Sequence, residues 1–181
     1  MKKVLHKCFW IWEFDKEEEW LNQMSAQGWQ LRDVSLFRYV FEKGEPCEYA
    51  YKLELLDNLP GTSKSVEYIE FIEETGIEMI GSLMRWVYFR KKNDGKGFEI
   101  FSDLQSKINH INRILAIAVV CLGVLMVNTG NMLRLFFEKT GVEMFFVLFI
   151  LTGSVFLLIL YGTIRLLMKR HNLVKQKILH E

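Results

Sequence analysis

The chain has 181 residues and a formal net charge of +1, and half of its residues are hydrophobic. This content of apolar residues excludes an intrinsically disordered chain. Residues 1–97 carry 14 Lys and Arg against 17 Asp and Glu, whereas residues 98–181 carry 9 against 5. The acidic first part opposes phosphate binding, so we expect no direct contact with nucleic acid. The sequence therefore predicts two distinct regions, and the long apolar runs lie in the second.

The first predicted domain, residues 1–97, contains one pattern twice. In each copy a helix with apolar residues three and four apart ends at a glycine, and a strand follows. The glycines are Gly28 and Gly76, where we expect the left-handed conformation that closes many helices. The apolar positions of the two helices coincide in this alignment: Trp20, Leu21 and Met24 with Tyr68, Ile69 and Ile72. After a shift of one residue, "RYVF" from Arg38 also matches "RWVY" from Arg85.

A strand candidate precedes each of the two helices. The segment "HKCFWIWEF", residues 6–14, is rich in aromatic side chains, and "EYAYKLELL", residues 48–56, alternates in polarity. Between the halves, "EKGEP" predicts a hairpin turn. The order strand–helix–strand, twice, predicts an α+β domain with the ferredoxin-like split βαβ plan, β-α-β-β-α-β.

One face of the predicted sheet is a candidate binding surface. Side chains two apart in a strand share a face, and we expect most of the aromatic side chains to pack under the helices. The opposite face would mix charged and apolar residues, which suits contact with a protein partner. The residues predicted there are Arg38, Val40, Lys52, Glu54, Arg85, Val87 and Phe89. A small mixed surface without a partner is the alternative. An aromatic platform for RNA is disfavoured, because the third strand lacks the Gly-aromatic signature of such readers.

The sequence contains no pattern typical of an enzyme site. A Ser–His–Asp arrangement, a P-loop and a dinucleotide fingerprint are all missing. His6 and Cys8 lie two apart, but a zinc site needs four ligands, so we expect neither a metal nor another cofactor. Three cysteines, an odd number, fit a reducing compartment. The N-terminal apolar run is interrupted by Glu13 and predicts no signal peptide.

The second region predicts a membrane hairpin. We expect residues 98–113 to form an amphipathic connecting helix that continues into the first apolar run. Residues 114–133 and 144–164 contain no charged side chain, and about 20 residues of helix cross a bilayer core. We therefore expect two transmembrane helices joined by an outer loop, residues 134–143. The alternative is the buried hairpin of a soluble protein.

The distribution of Lys and Arg predicts the orientation of this hairpin. Eight flank its two outer ends and two lie in the loop, which places both termini in the cytoplasm and the chain in the cell membrane. The basic tail, residues 165–181, would either hold anionic lipid or a partner, or simply reflect this orientation.

Several segments, in order along the chain, resemble one bacterial family. They are "WLNQMSAQGWQL", "FEKGEPCEYAYKLELL", "YIEFIEETG", "WVYFRKK" and "FSDLQSKINH". They are similar to the "domain of unknown function 2812" family over roughly residues 1–110. The resemblance implies a cytoplasmic domain followed by hydrophobic segments, and a neighbourhood of PadR-like transcriptional repressors. It implies no catalytic residue.

From these features we expect a membrane-anchored regulatory or interaction module without catalysis. Its cytoplasmic domain would bind a protein partner, for which the resemblance implies a PadR-like repressor. The alternative is an accessory subunit of a membrane transporter complex, because Gly123, Gly153, Ser154 and Gly162 would let helices pack closely. An enzyme is the third possibility and would bind a small molecule or a metal.

Overall fold

The structure is a computed structural model that describes residues 1–95, 100, 104–138 and 143–180. The chain divides into two compact units, Met1–Ser102 and Asp103–Glu181. The first unit contains two three-stranded antiparallel sheets: sheet A has the order β1-β3-β2 and sheet B the order β4-β6-β5. Its elements are β1 (Lys2–His6), α1 (Phe14–Ala26), β2 (Trp29–Ser35), β3 (Arg38–Lys43), β4 (Tyr49–Leu55), α2 (Ser63–Glu74), β5 (Ile77–Leu83) and β6 (Trp86–Lys92).

The predicted α+β class is confirmed, but the ferredoxin-like topology is not. Each half has the order β-α-β-β, because the segment after each helix turns back and adds a strand. Two-residue turns make this possible, and each contains a residue with positive φ: Phe37 at 60° and Met84 at 57°. Such turns usually contain glycine or asparagine, so their sequences did not predict hairpins.

The first strand also lies earlier than predicted. Residues 6–14 were expected to form it, whereas β1 covers Lys2–His6 and a short 3₁₀ turn covers Ile11–Glu13. The turn directs Trp12 and Phe14 into the core, where 8% and 7% of their surface is exposed. Burial of two large aromatic side chains therefore outweighs their preference for strands.

The internal repeat is a structural repeat with a constant offset of 48 residues. In sheet A, Leu31 pairs with Phe41, and in sheet B, Met79 pairs with Phe89. Each hairpin has a register shift at the same place, after Leu31 and after Met79. The one-residue shift in the sequence alignment is therefore absent from the structure, where Arg38 corresponds to Trp86. The predicted left-handed glycines are confirmed: φ is +77° at Gly28 and +81° at Gly76.

Two hydrophobic clusters form the core of the first unit. The first joins α1 and sheet A to one face of sheet B, and its members include Leu21, Phe41, Tyr51 and Tyr88. The second lies under α2 on the other face of sheet B. It contains Leu56, Ile69, Ile72, Ile77, Val87 and Phe89. Sheet B is thus buried on both faces.

Helix α1 also covers the outer edge of β4. Asn22 donates to the Tyr51 carbonyl from Nδ2 at 3.0 Å, and its Oδ1 accepts from the Tyr51 N–H at 2.9 Å. Two further contacts lie on the same helix face and extend this pattern: Ser25 Oγ to the Tyr49 carbonyl at 2.6 Å, and the Leu53 N–H to Glu18 Oε2 at 3.3 Å. Side chains spaced three and four apart on a helix thus take the place of a neighbouring strand.

The second unit consists of two long helices, α3 (Leu104–Glu138) and α4 (Glu143–His180). Arg170 Nε donates to Asn112 Oδ1 at 2.7 Å, and Lys177 Nζ to Gln105 Oε1 at 3.1 Å, so the helices are antiparallel. Helix α3 passes without a break through the predicted junction at residue 113. It also extends into the predicted outer loop, of which residues 139–142 lie outside the described part.

Both helices are long and apolar enough to cross a membrane. Of the most apolar 18-residue stretch of each helix, only 6% is buried in α4 and 28% in α3. Large side chains such as Val120, Met126 and Leu157 are more than 60% exposed. An apolar surface of this extent is compatible with contact to lipid.

Candidate protein-interaction surface

The outer face of sheet A is the candidate functional surface. We call it the open face, and its residues are Lys2, Val4 and His6 of β1, Asp33 and Ser35 of β2, and Arg38, Val40 and Glu42 of β3. All eight are exposed or half-buried. Their strand neighbours Leu31, Tyr39 and Phe41 point to the other face and are buried in the first cluster. Alternation along the strands therefore separates a buried face from an accessible one.

Charged side chains on and beside the open face form two ion pairs. Arg32, at the register shift of β2, donates to Glu42 at 2.8 Å, and Arg38 donates to Asp33 at 3.5 Å. Lys2 forms no ion pair with any residue that the structure describes. A shallow depression of about 400 Å³ lies among these groups. It is lined by Lys2, Arg32, Asp33, Arg38, Val40, Phe41 and Glu42.

The edge of the same sheet exposes main-chain polar groups. The Lys43 N–H bonds the Met1 carbonyl at 3.0 Å, and the Lys7 N–H bonds the Phe37 carbonyl at 3.1 Å. In this register the main-chain N–H and C=O groups of the odd-numbered residues of β1 point toward β3. Those of Lys2, Val4 and His6 therefore point away from the sheet. No hydrogen bond from the described part of the chain reaches them. This edge can accept a further strand.

The seven residues predicted for one open face do not lie together. They belong to two different sheets, and only Arg38 and Val40 lie on the open face. Lys52 lies beside α1 instead, with Nζ 2.5 Å from Glu18 Oε1. The common face was predicted because the sequence was read as a single four-stranded sheet.

The other four predicted residues are buried or engaged inside the first unit. Val87 and Phe89 have no exposed surface and pack under α2. Glu54 is 1% exposed and accepts a hydrogen bond from the Tyr68 hydroxyl at 2.9 Å. Arg85 Nε donates to the Leu56 carbonyl at 2.8 Å. The prediction of an open face was therefore wrong for these positions, because α2 covers sheet B on this side.

A buried carboxyl group links the two sheets, and it was not predicted from the sequence. Glu17 of α1 accepts hydrogen bonds from the hydroxyls of Tyr39 and Tyr88, both at 2.6 Å to Oε1. Burial raises the pKa of Glu17 above its ordinary value of 4.5, and the two hydrogen bonds oppose that rise. Burial and the Glu17 carboxyl also raise the pKa of both tyrosines. The tyrosines therefore stay protonated as donors.

A sequence signal for this link does exist. Glu17 lies three residues after Phe14 and four before Leu21, on the apolar face of α1. A carboxyl group in that position must be buried with a partner. Its contacts are two neutral hydroxyls in the core, which suits a structural link between the sheets rather than catalysis.

The described residues contain no group of three or more His, Cys, Asp or Glu side chains that could hold a metal ion. The exposed features of the first unit include a charged sheet face and an adjoining strand edge. Both are suited to contact with another macromolecule.

Comparison with protein-family models gives a match. A family model described as "Protein of unknown function (DUF2812)" matches residues 13–123, which is more than half of the chain. The match runs from the start of α1 into α3 and includes most of both repeats. No curated protein and no solved structure matches the chain.

Proposed function

This chain belongs to the DUF2812 family of proteins of unknown function, and we propose that it is a membrane-anchored module that binds a cytoplasmic protein. The hairpin of α3 and α4 lies in the cell membrane with both termini in the cytoplasm, and the first unit presents the open face of sheet A. The protein acts by binding and not by catalysis. A PadR-like repressor is the partner that the resemblance implies, and binding would hold it at the membrane.

The observation that carries this proposal is the unequal burial of two equivalent sheets. Sheet B, built on the same repeat, has both faces covered. In sheet A, residues from all three strands leave one face accessible, with Val4 45% exposed among charged groups. A partner would cover the open face of sheet A, as α1 and sheet A cover the equivalent face of sheet B.

The proposal can be tested by crosslinking in cells that express the tagged full chain, followed by purification in mild detergent and mass spectrometry. A variant with Lys2→Glu and Arg38→Glu reverses two charges of the open face. Glu70→Lys, on the exposed surface of α2, is the matched control. We expect the wild type and the control to capture a cytoplasmic protein that the open-face variant loses. Equal capture by all three would contradict a role for the open face.

The second candidate is an accessory subunit of a membrane complex, and one observation favours it. A side chain at Gly123 or at Gly153 would meet no atom within 4 Å, so both glycines face open space rather than the partner helix. Small residues that face outward allow another helix to approach closely. This candidate predicts capture of a membrane protein, unchanged by the open-face variant and lost with Gly153→Leu.

A further inference from the structure

We propose that the outward edge of β1 pairs with an extended segment of the partner through main-chain hydrogen bonds, and that acidic residues flank an apolar centre in this segment. The inference rests on the proposed function and specifies the mode of binding and the chemistry of the partner. Addition of a strand to an exposed sheet edge is a common mode of peptide recognition.

The geometry of the β1 edge fits an added strand. Lys3 and Leu5 use their main-chain groups for β3, so Lys2, Val4 and His6 present three N–H and three C=O groups outward. These groups repeat every second residue, as the ladder of an added strand requires. Val4 is 45% exposed at the centre of this edge.

The edge of β1 differs from that of β4, the equivalent strand of the other half. With β3 and β6 superposed by the repeat, Lys2 and Val4 of β1 correspond to Tyr51 and Leu53 of β4. Asn22 saturates the outward groups of Tyr51, and Glu18 bonds the Leu53 N–H. The chain thus protects one of two equivalent edges with a helix, and the other is accessible to a partner.

The side chains around the edge indicate the chemistry of the added strand. Lys2 lies on the open face, and Lys3 and Lys7 lie on the other side of β1. The Lys3 ammonium stands 5.1 Å from the centre of the Trp29 ring, and that of Lys7 4.6 Å from the Trp20 ring. Lysines near both ends of the edge, with Val4 and Leu5 between them, complement an apolar centre with acidic flanks.

A second copy of this chain fits the edge less well. Residues 1–12 contain no Asp or Glu, so a copy of β1 would bring only basic or uncharged side chains to Lys2 and Lys3. Lysine on an edge strand also opposes pairing between identical edges. A partner with acidic residues would remove this repulsion and gain a favourable interaction.

The test uses the full chain in phosphatidylcholine nanodiscs and a fluorescent peptide with a Val-Thr-Val centre and acidic residues on both sides. Val4→Pro removes one outward N–H but leaves the bonds between β1 and β3 intact, because Lys3 and Leu5 make them. We expect its affinity, measured by fluorescence anisotropy, to fall about tenfold or more. Val4→Thr keeps the N–H and should bind within about twofold of the wild type.

Two further measurements keep the test decisive if Val4→Pro does not fold. A peptide methylated on alternate main-chain nitrogens, added to the wild type, should bind about tenfold more weakly. A variant with Lys2→Glu and Lys7→Glu should prefer a peptide with lysine flanks over the acidic peptide. No binding of the acidic peptide by the wild type, or equal binding of the methylated peptide, would overturn strand addition.

Capture of the partner in cells separates this inference from the proposed function. If the wild type and a correctly folded Val4→Pro variant capture the same cytoplasmic protein equally, the proposed function stands and edge pairing is overturned. If capture and peptide binding are both lost in Val4→Pro and kept in Val4→Thr, both proposals are supported.

Discussion

The two halves of the first unit share one backbone plan and differ in how they are buried. Both have the order β-α-β-β, a left-handed glycine after the helix, and a register shift at the same position of the hairpin. Yet sheet B is enclosed between α1 and α2, whereas sheet A is covered on one face only. Equivalent positions therefore have different environments, and Val40 of the open face corresponds to the buried Tyr88.

This difference leaves surface accessible in the first half that the second half uses for packing. In the second half, Tyr88 and the edge of β4 are used for packing against the first half. In the first half, Val40 and the edge of β1 remain accessible, so they can serve binding. The asymmetry arises because α1 contacts both sheets, whereas α2 packs on sheet B.

The largest expected effect is a loss of stability at Tyr88 that the equivalent residue Val40 should not show. Tyr88→Ala should lower the free energy of unfolding by about 3–5 kcal/mol, because it leaves a cavity and removes a hydrogen bond to Glu17. Val40→Ala should cost less than about 1 kcal/mol. Guanidinium unfolding followed by tryptophan fluorescence can measure both, since all five tryptophans lie in the first unit. Similar losses for the two variants would show that the open face is not exposed.

A medium effect is expected at the protected edge of β4. Asn22→Ala leaves the Tyr51 N–H and C=O without their partner, which should cost about 1–3 kcal/mol. Amide hydrogen exchange at Tyr51 should become faster. Glu70 occupies the equivalent, exposed position of α2, and Glu70→Ala should change stability by less than about 0.5 kcal/mol. An unchanged exchange rate at Tyr51 would mean that α1 does not protect this edge.

The smallest expected effect is a change of stability with pH. It arises from Glu17, whereas its counterpart in α2, Ser65, carries no titrating group. Because burial raises the pKa of Glu17 above 4.5, the folded state holds this proton more tightly than the unfolded state. The contribution of Glu17 to stability is therefore lost as the pH rises from 4.5 through the raised pKa. Glu17→Gln removes this dependence and keeps an oxygen for both tyrosines.

The stability of Glu17→Gln relative to the wild type should thus increase above pH 4.5 and then level off. Unfolding curves of the two proteins across this pH range measure the difference. Glu70→Gln, on the exposed surface of α2, controls for the loss of one carboxylate. A difference between Glu17→Gln and the wild type that is constant with pH would mean that Glu17 is not buried as a titrating group.

Much of the fold could be predicted from local patterns. The repeat, both helices, the left-handed glycines and the two apolar runs follow from residue spacing. The hairpins after Gly28 and Gly76 could not be predicted, because Phe37 and Met84 adopt positive φ without the usual turn residues. Of the residues predicted on the open surface, Arg38 and Val40 lie on an accessible face of the structure, whereas Val87 and Phe89 are buried. Period-two alternation separates the two faces of a strand, but it cannot tell which face a distant helix covers.

The sequence by itself determined the two helices of the first unit, the repeat and the left-handed glycines, because helix periodicity and glycine conformation depend on residues close together in the chain. Tertiary structure alone decided that Glu17 joins Tyr39 to Tyr88, that Asn22 covers the edge of β4, and that the edge of β1 stays open. These contacts join residues 22 to 71 positions apart in the first two cases. They depend on where α1 packs in three dimensions, and no local pattern contains that information.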